Sequence, residues 1–270
     1  MQPKLARLTE IVEKNAPLLV AYSGGVDSAY LLAAATQILA PAAVLGVIAD
    51  SPSLPRRALT DALALAQAIG ARVEVVRTEE MADPNYVANP LNRCYFCKAE
   101  LFTRLDTLAR ERGFAAIAYG ENADDMRQVR PGRQAAAEFR VLAPLRDADL
   151  TKQEIRALSR ELGLPTADAP AQPCLSSRVP HGSPVTLEAL ALIERGEEFV
   201  RSLGFRVFRV RHYTEPVADG VTPTPRARVQ IAPEEMSARL PGLVSTLERG
   251  LRDLGYATVE IDPAGYRSTA

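Results

Sequence analysis

Residues 17–28 read Pro17-Leu18-Leu19-Val20-Ala21-Tyr22-Ser23-Gly24-Gly25-Val26-Asp27-Ser28. The first six form a short apolar run, the pattern of a strand buried on both faces. A helical pattern opens at Ser28 and continues to Leu39, so the glycine pair sits in a tight strand-to-helix turn. Two adjacent glycines let the backbone curl and come close to an anion. Amides exposed at the start of the helix, with the hydroxyls of Ser23 and Ser28, can cradle phosphate oxygens. A carboxylate does not attract phosphate, so Asp27 is expected to hold magnesium or to order the loop. A turn without a ligand would explain the glycines but not the whole Ser-Gly-Gly-Xaa-Asp-Ser string. No Gly-Lys-Ser/Thr follows, which excludes a Walker-type loop.

Working outward, residues 5–14 read as an amphipathic helix, 43–49 as a strand and 55–69 as a helix. Residues 72–77 alternate like a strand, 94–112 read as a helix stopped by Gly113, and 114–119 as a further strand. Strands alternating with helices imply an α/β fold, a parallel sheet with helices on both faces. Such sheets place ligands at the carboxyl ends of their strands, where Gly120 falls. The pattern changes near Pro144. Thr151 and Glu154 form a capping-box signature for a helix ending near Gly163. Residues 164–184 read as loop, 186–203 as helix, 205–211 and 226–231 as strands around a turn-rich insert at 213–225, 233–254 as one helix and 257–261 as a last strand. The expected organisation is a nucleotide-binding domain over 1–175 and a smaller α/β domain over 176–270.

The chain has 270 residues, 47% of them apolar and 24% charged, and a formal net charge of -1, as in an ordinary globular enzyme. No global basic field exists to attract a nucleic-acid backbone, so no nucleic-acid partner is expected. No apolar run approaches a membrane span, and residues 1–13 lack a signal-peptide core, so the expected location is the cytoplasm, away from membranes. Three cysteines, Cys94, Cys97 and Cys174, are too few and too odd in number for a disulfide scaffold. Their use is expected to be chemical or metal-binding.

The string Ser23 to Ser28 resembles the PP-loop of the N-type ATP pyrophosphatases, which include GMP, NAD and asparagine synthetases and tRNA-thiolating enzymes. The resemblance implies that a substrate oxygen attacks the α-phosphorus of ATP and that pyrophosphate leaves, with Mg2+ assisting. It also implies a nucleotide site formed by Ala21, Ser23, Gly24, Gly25, Asp27, Ser28, Val47 and Gly120. Further segments narrow the family. They are Asn92-Arg93-Cys94-Tyr95-Phe96-Cys97-Lys98, Gly120-Glu121-Asn122-Ala123-Asp124-Asp125, Arg130-Pro131-Gly132-Arg133, Pro173-Cys174-Leu175-Ser176-Ser177-Arg178, Arg209-Val210-Arg211-His212 and Gly265-Tyr266-Arg267-Ser268. Together they resemble the LarE family of sulfur transferases, which serve the nickel-pincer nucleotide cofactor of lactate racemase. The likeness runs from Ala21 to Ser268 and departs in the insert at 213–225.

That resemblance implies a small-molecule nucleotide substrate, pyridinium-3,5-biscarboxylic acid mononucleotide, one carboxylate of which is adenylylated and converted to a thiocarboxylate. It also implies a homo-oligomer. A tRNA thiolase would want a basic surface and an RNA-binding domain, an NAD synthetase would need no cysteine, and a GMP synthetase would carry a glutaminase unit. A non-enzymatic adenine-nucleotide sensor would need neither the cysteines nor the clustered arginines. Arg209 and Arg211 share a strand face by alternation. With Arg228, and with Arg267 as a weaker candidate, they are either a solvated face or, given the resemblance, a receptor for the substrate phosphate. Arg130 and Arg133 are candidates to neutralise pyrophosphate or are loop arginines. Asp124 and Asp125 meet metal or substrate or merely begin a helix. His212 lines the substrate site or packs at a strand end, and His181 is read as a loop histidine.

Three readings of the cysteines stay open. In the favoured one, Cys94, Cys97 and Cys174 bind a 4Fe–4S cluster and leave one iron without a protein ligand. In the second, Cys174 attacks the acyl adenylate and gives up its own sulfur. In the third, the cysteines and His181 bind zinc. A pair at Cys94 and Cys97 that only packs a helix is the plain alternative.

Overall fold

In the computed structural model, residues 1–127, 131–170, 172–214 and 224–266 are described. The chain forms two compact units, one of Met1–Asp83 with Asn92–Gln172, the other of Pro84–Leu91 with Pro173–Ala270. The sequence suggests a single cut after residue 175, whereas the observed division follows Gln172 and lends 84–91 to the second unit.

The first unit is built on four parallel strands, β1 (Leu18–Ala21), β2 (Val44–Asp50), β3 (Val73–Arg77) and β4 (Ala116–Tyr119), in the order β3-β2-β1-β4. Side chains alternate across the sheet and feed two cores. Leu18, Val20, Val44, Ile48 and Ala118 pack beneath helices Gln2–Lys14, Val26–Ile38, Arg56–Ala68 and Lys152–Glu161. Leu19, Leu45, Val47, Ile117 and Tyr119 pack against helices Arg93–Arg112 and Pro131–Glu138. Both faces are covered, which is why β1 reads as an unbroken apolar run. Helix Val26–Ile38 buries Val26 and every residue from Ser28 to Ala35, and so is apolar nearly all round. Gly113, in the left-handed region at φ 72°, ends helix Arg93–Arg112 as expected. Thr151 and Glu154 form the reciprocal capping box.

The chain steps from β1 to β2 to β3 in one direction, then returns to lay β4 on the other side of β1. The strand order therefore reverses between β1 and β4, and the loops leaving their carboxyl ends diverge there. That is where an open α/β sheet offers a ligand crevice.

The second unit is a three-stranded sheet in the order β5-β6-β7, with β5 (Phe208–Thr214) antiparallel to β6 (Pro225–Ile231) and β6 parallel to β7 (Thr258–Ile261). One face (Phe208, Val210, Ala227, Val229, Ile231 and Val259) joins Leu192 and Val200 of helix Leu187–Ser202 and Leu247 and Leu251 of helix Val244–Asp253 in a core. The other face carries Arg209, Arg211, Arg226, Arg228 and Gln230, as the antiparallel register Arg211↔Arg228 and Arg209↔Gln230 requires. The single helix expected over 233–254 is instead Pro233–Arg239, a 3-10 turn Leu240–Gly242 and Val244–Asp253. Pro241 has no amide to give to an α-helical carbonyl, so the helix breaks there. Segment 84–91 is held by Asn89, fully buried at φ 54°, whose side-chain amide donates to the carbonyls of Pro180 (2.7 Å) and Ser183 (2.9 Å).

Candidate active site

The loop after β1 is ordered by its own side chains. The Ser23 amide donates to Ser28 Oγ (3.1 Å), the two hydroxyls lie 3.1 Å apart, and Ser28 Oγ donates to the Gly25 carbonyl (3.1 Å). Ala29 makes the first helical bond, back to the Gly25 carbonyl, so the preceding amides are those that a helix leaves for a ligand. The two glycines differ in kind. Gly24 has φ 74°, and a Cβ there would lie 2.7 Å from the Cβ of Ala62. Gly25 has φ -73°, and its Cβ would meet only Ser23 Oγ, at 3.4 Å. The fold requires Gly24; it leaves Gly25 bare toward open space. Ala21 pairs in register with Tyr119, so β1 and β4 end level at the crevice, while on the other side it pairs with Val47 and β2 runs on to Asp50. The Val47 side chain is buried and its carbonyl takes the Tyr22 amide at 2.9 Å. Gly120 lies so close to the helix start that a Cβ would come within 2.6 Å of the Ser28 amide nitrogen. This glycine therefore has a packing reason independent of any ligand.

Asp27 is the chemically loaded residue of the loop. Its Oδ2 accepts from Lys152 Nζ at 2.6 Å, while Oδ1 is buried with no partner. Burial pushes its pKa above the ordinary carboxylate range; the Lys152 ammonium and, more weakly, the nearby Asn122 amide oppose the rise, and Asp125 adds to it. A buried carboxylate oxygen left without a donor is uncommon and fits a divalent cation held with phosphate oxygens. Around it, Asp124 Oδ2 accepts the Lys152 backbone amide (2.8 Å) and Asp125 Oδ2 the Asn122 amide (3.2 Å). Glu121, buried, is clamped by Arg133 (2.9 Å) and Arg146 (2.8 Å). Burial opposes its charge, and the arginines overcome that, holding its pKa below the usual range. Arg133 is thus committed to Glu121 and to the Asp125 carbonyl. Arg130 lies outside the described residues.

The sequence reading missed Lys152. One signal for it was present, because a lysine in the first turn of a helix opposes the helix dipole and calls for another reason to be there.

Within the second unit, Cys174 is half-buried and opens the 3-10 turn Leu175–Arg178. Arg178 is buried and forks onto Glu197 (2.8 and 2.9 Å), and its remaining nitrogen donates to the carbonyls of Pro173 (2.6 Å) and Cys174 (3.0 Å). Arg211 donates to the Ser177 carbonyl (2.6 Å) and to Gln230 (2.9 Å). Arg209 donates to the Phe208 carbonyl (2.7 Å) and to the Tyr266 hydroxyl (3.2 Å); burial and then the Arg178 charge lower its pKa. Arg228 is paired with Asp262 at 3.1 Å. Arg267 lies outside the described residues, as does most of the insert. His212 falls on the core face beside Tyr256, where burial lowers its pKa, so it packs the strand. His181 is exposed, with Nδ1 3.4 Å from the Asn89 carbonyl.

Back in the first unit, Cys94 is exposed and Cys97 half-buried, three positions apart across the first two turns of helix Arg93–Arg112. None of the three cysteines is in a disulfide, and thiolate is a donor chemistry that suits iron–sulfur ligation. Among the described residues no three Cys, His, Asp or Glu side chains are gathered as metal ligands. Among them, too, no helix is long and apolar enough to cross a membrane.

The sequence model of the NAD synthase family matches residues 5–127, the stretch that holds β1 to β4 and the loop at 23–28. Fold, loop and match define an enzyme of the PP-loop ATP pyrophosphatase class. Among proteins similar along most of their length is the uncharacterised slr1717 of Synechocystis sp., 41% identical over 99% of this chain and 96% of its own. Another is the pyridinium-3,5-bisthiocarboxylic acid mononucleotide synthase of Lactiplantibacillus plantarum, 31% identical over 98% of this chain and 92% of its own. A third, MJ0830 of Methanocaldococcus jannaschii, is 28% identical over 74% of this chain and 75% of its own. The chain belongs to the LarE family, that of the pyridinium-3,5-bisthiocarboxylic acid mononucleotide synthase.

Proposed function

We propose that the protein is an ATP-dependent sulfur transferase that converts a carboxylate of pyridinium-3,5-biscarboxylic acid mononucleotide into a thiocarboxylate, working as a homo-oligomer. The observation that carries this reading is a phosphate loop with a bare Gly25 and an unpartnered Asp27 oxygen, in a chain that also fixes a half-buried cysteine on an anchored turn. A carboxylate is a poor acyl donor, and AMP is a good leaving group. The substrate carboxylate oxygen attacks the α-phosphorus of ATP and pyrophosphate departs. The amides of the loop and the Lys152 ammonium receive the charge of the leaving pyrophosphate. Asp27 Oδ1 would hold Mg2+, which supplies charge neutralisation on the phosphates.

A sulfur nucleophile then attacks the acyl carbon and AMP leaves with the bonding electrons. Cys94, Cys97 and Cys174 would hold a 4Fe–4S cluster, which supplies that sulfur when bound. A second reading, in which Cys174 surrenders its own sulfur, draws on a half-buried cysteine whose backbone carbonyl is anchored by Arg178. Arg209 and Arg211 are proposed to receive the substrate phosphate, since a guanidinium fork matches phosphate oxygens.

The experiment is anaerobic turnover with ATP, Mg2+ and the dicarboxylate nucleotide after loading with iron and sulfide. Product mass should show oxygen replaced by sulfur over many turnovers per chain. An amide product, or thiolated tRNA in its place, would overturn the proposal.

A further inference from the structure

Arg178 and Glu197 form a deeply buried ion pair joined directly to the Cys174 segment. The Arg178 and Glu197 side chains are 3% and 8% exposed. Burying both charges is costly unless every donor and acceptor is met, and such a pair is weak evidence for stability as such. Here the hydrogen bonds run in one line. Glu197 Oε1 accepts the backbone amide of Val210, inside β5, at 3.1 Å and the Arg178 Nε at 2.8 Å. The second fork arm joins Arg178 to Glu197 Oε2 at 2.9 Å. The remaining terminal nitrogen turns back along its own chain to the carbonyls of Pro173 and Cys174 and to Ser177 Oγ (3.0 Å). The sheet thus holds the glutamate, the glutamate holds the guanidinium, and the guanidinium holds the peptide carbonyl of Cys174. Tyr86, buried, ties the adjoining Ser176 hydroxyl at 2.7 Å, and Arg211 ties the Ser177 carbonyl. The segment 173–178 is fastened at successive positions, and Cys174 within it is half-buried.

We propose that Arg178, held by Glu197, is a positioning residue for Cys174. It sets the direction in which the cysteine sulfur leaves its backbone and so governs the sulfur-transfer step without touching substrate. Only a planar, five-donor guanidinium can fork onto a carboxylate and still reach two carbonyls, and a lysine ammonium keeps the charge but not the geometry. Displacing a reacting group by about 1 Å costs on the order of a hundredfold in rate.

The proposal rests on the sulfur-transferase reading, and its test separates the two. In Arg178→Lys, kcat for thiocarboxylate formation should fall about tenfold to a hundredfold. The KM for ATP and the ATP–pyrophosphate exchange rate should stay near those of the native enzyme. Backbone amides at 174–179 should exchange hydrogen faster, with those of β5 and β6 unchanged. Glu197→Gln, which keeps the side-chain shape and the bond to Val210, should show the same split more weakly, and it serves if Arg178→Lys does not fold. Equal loss of exchange and sulfur transfer would mark a purely structural pair, and unchanged sulfur transfer would dismiss the role; either result overturns the proposal. If the native enzyme transfers no sulfur, the functional reading fails by itself. Unchanged amide exchange in both variants then overturns the clamp independently.

Discussion

Alanine at Gly24 and alanine at Gly25 should have opposite consequences, although the two positions are adjacent. At Gly24 the backbone lies at φ 74°, a region that costs an L-residue about 1–2 kcal/mol. The new methyl would also come within 2.7 Å of the Ala62 Cβ and 3.4 Å of the Ala62 Cα. Ala62 is buried in helix Arg56–Ala68, so the helix backbone must move, and such overpacking costs about 1–3 kcal/mol. Gly24→Ala should therefore destabilise the first unit by about 2–5 kcal/mol. At Gly25 the backbone is already in an ordinary region and the methyl meets only Ser23 Oγ at van der Waals distance. Gly25→Ala should leave stability nearly unchanged, because the narrower unfolded ensemble offsets the poorer fit of alanine at the N-cap of the helix. The same methyl would occupy the space through which a phosphate approaches the loop amides, so pyrophosphate release should fall by a factor of about 100 or more. Thermal unfolding and a pyrophosphate-release assay on both variants test this. Equal destabilisation by both, or native turnover in Gly25→Ala, would show that the two glycines do not differ in this way.

Asp27→Asn should abolish pyrophosphate release yet stabilise the nucleotide-free protein at neutral pH by about 1 kcal/mol. The raised folded pKa means that this group favours folding below its unfolded value of about 3.9 and loses that favour as pH rises through the folded pKa, so the ionised carboxylate is a burden at pH 7. A lower melting temperature in calorimetry would contradict this. His212 has its pKa depressed by burial, so its contribution is full above about pH 6.5 and is lost as pH falls through the folded value. In His212→Asn the slope of stability against pH just below 6.5 should be shallower than in the native protein, and an unchanged slope in denaturant titrations would contradict the assignment. Anaerobic reconstitution should load about four irons per chain, and alanine at Cys94, Cys97 or Cys174 should each lose them. Iron-free protein that turns over once and leaves dehydroalanine at 174 would instead establish the sacrificial reading.

The parts of this molecule legible in its sequence are those decided locally. β1 announces itself because burial on both faces leaves no polar position in Leu18–Ala21. Thr151 with Glu154, and Gly113, are caps whose chemistry is contained within one helical turn. The strand expected at 205–211 begins at Phe208, because Gly204, at φ 92°, turns the chain and Phe205 is buried in the core before the strand begins. What stayed hidden depends on distant partners. Nothing periodic in residues 84–91 tells that the Asn89 amide will fasten carbonyls at 180 and 183. Lys152 meets Asp27 across 125 residues of chain, and Arg178 meets Glu197 across 19. The arginines on the polar face of the second sheet were placed correctly by alternation, but their engagement with Ser177, Tyr266 and Asp262 is tertiary.

Adenylylation of the substrate carboxylate by ATP can be followed through the oxygen of that carboxylate. With the dicarboxylate nucleotide labelled with heavy oxygen, ATP and Mg2+, the account predicts AMP carrying one labelled oxygen, unlabelled pyrophosphate and a thiocarboxylate product in equal amounts. Label recovered in inorganic phosphate beside ADP, or AMP formed without label, would contradict it.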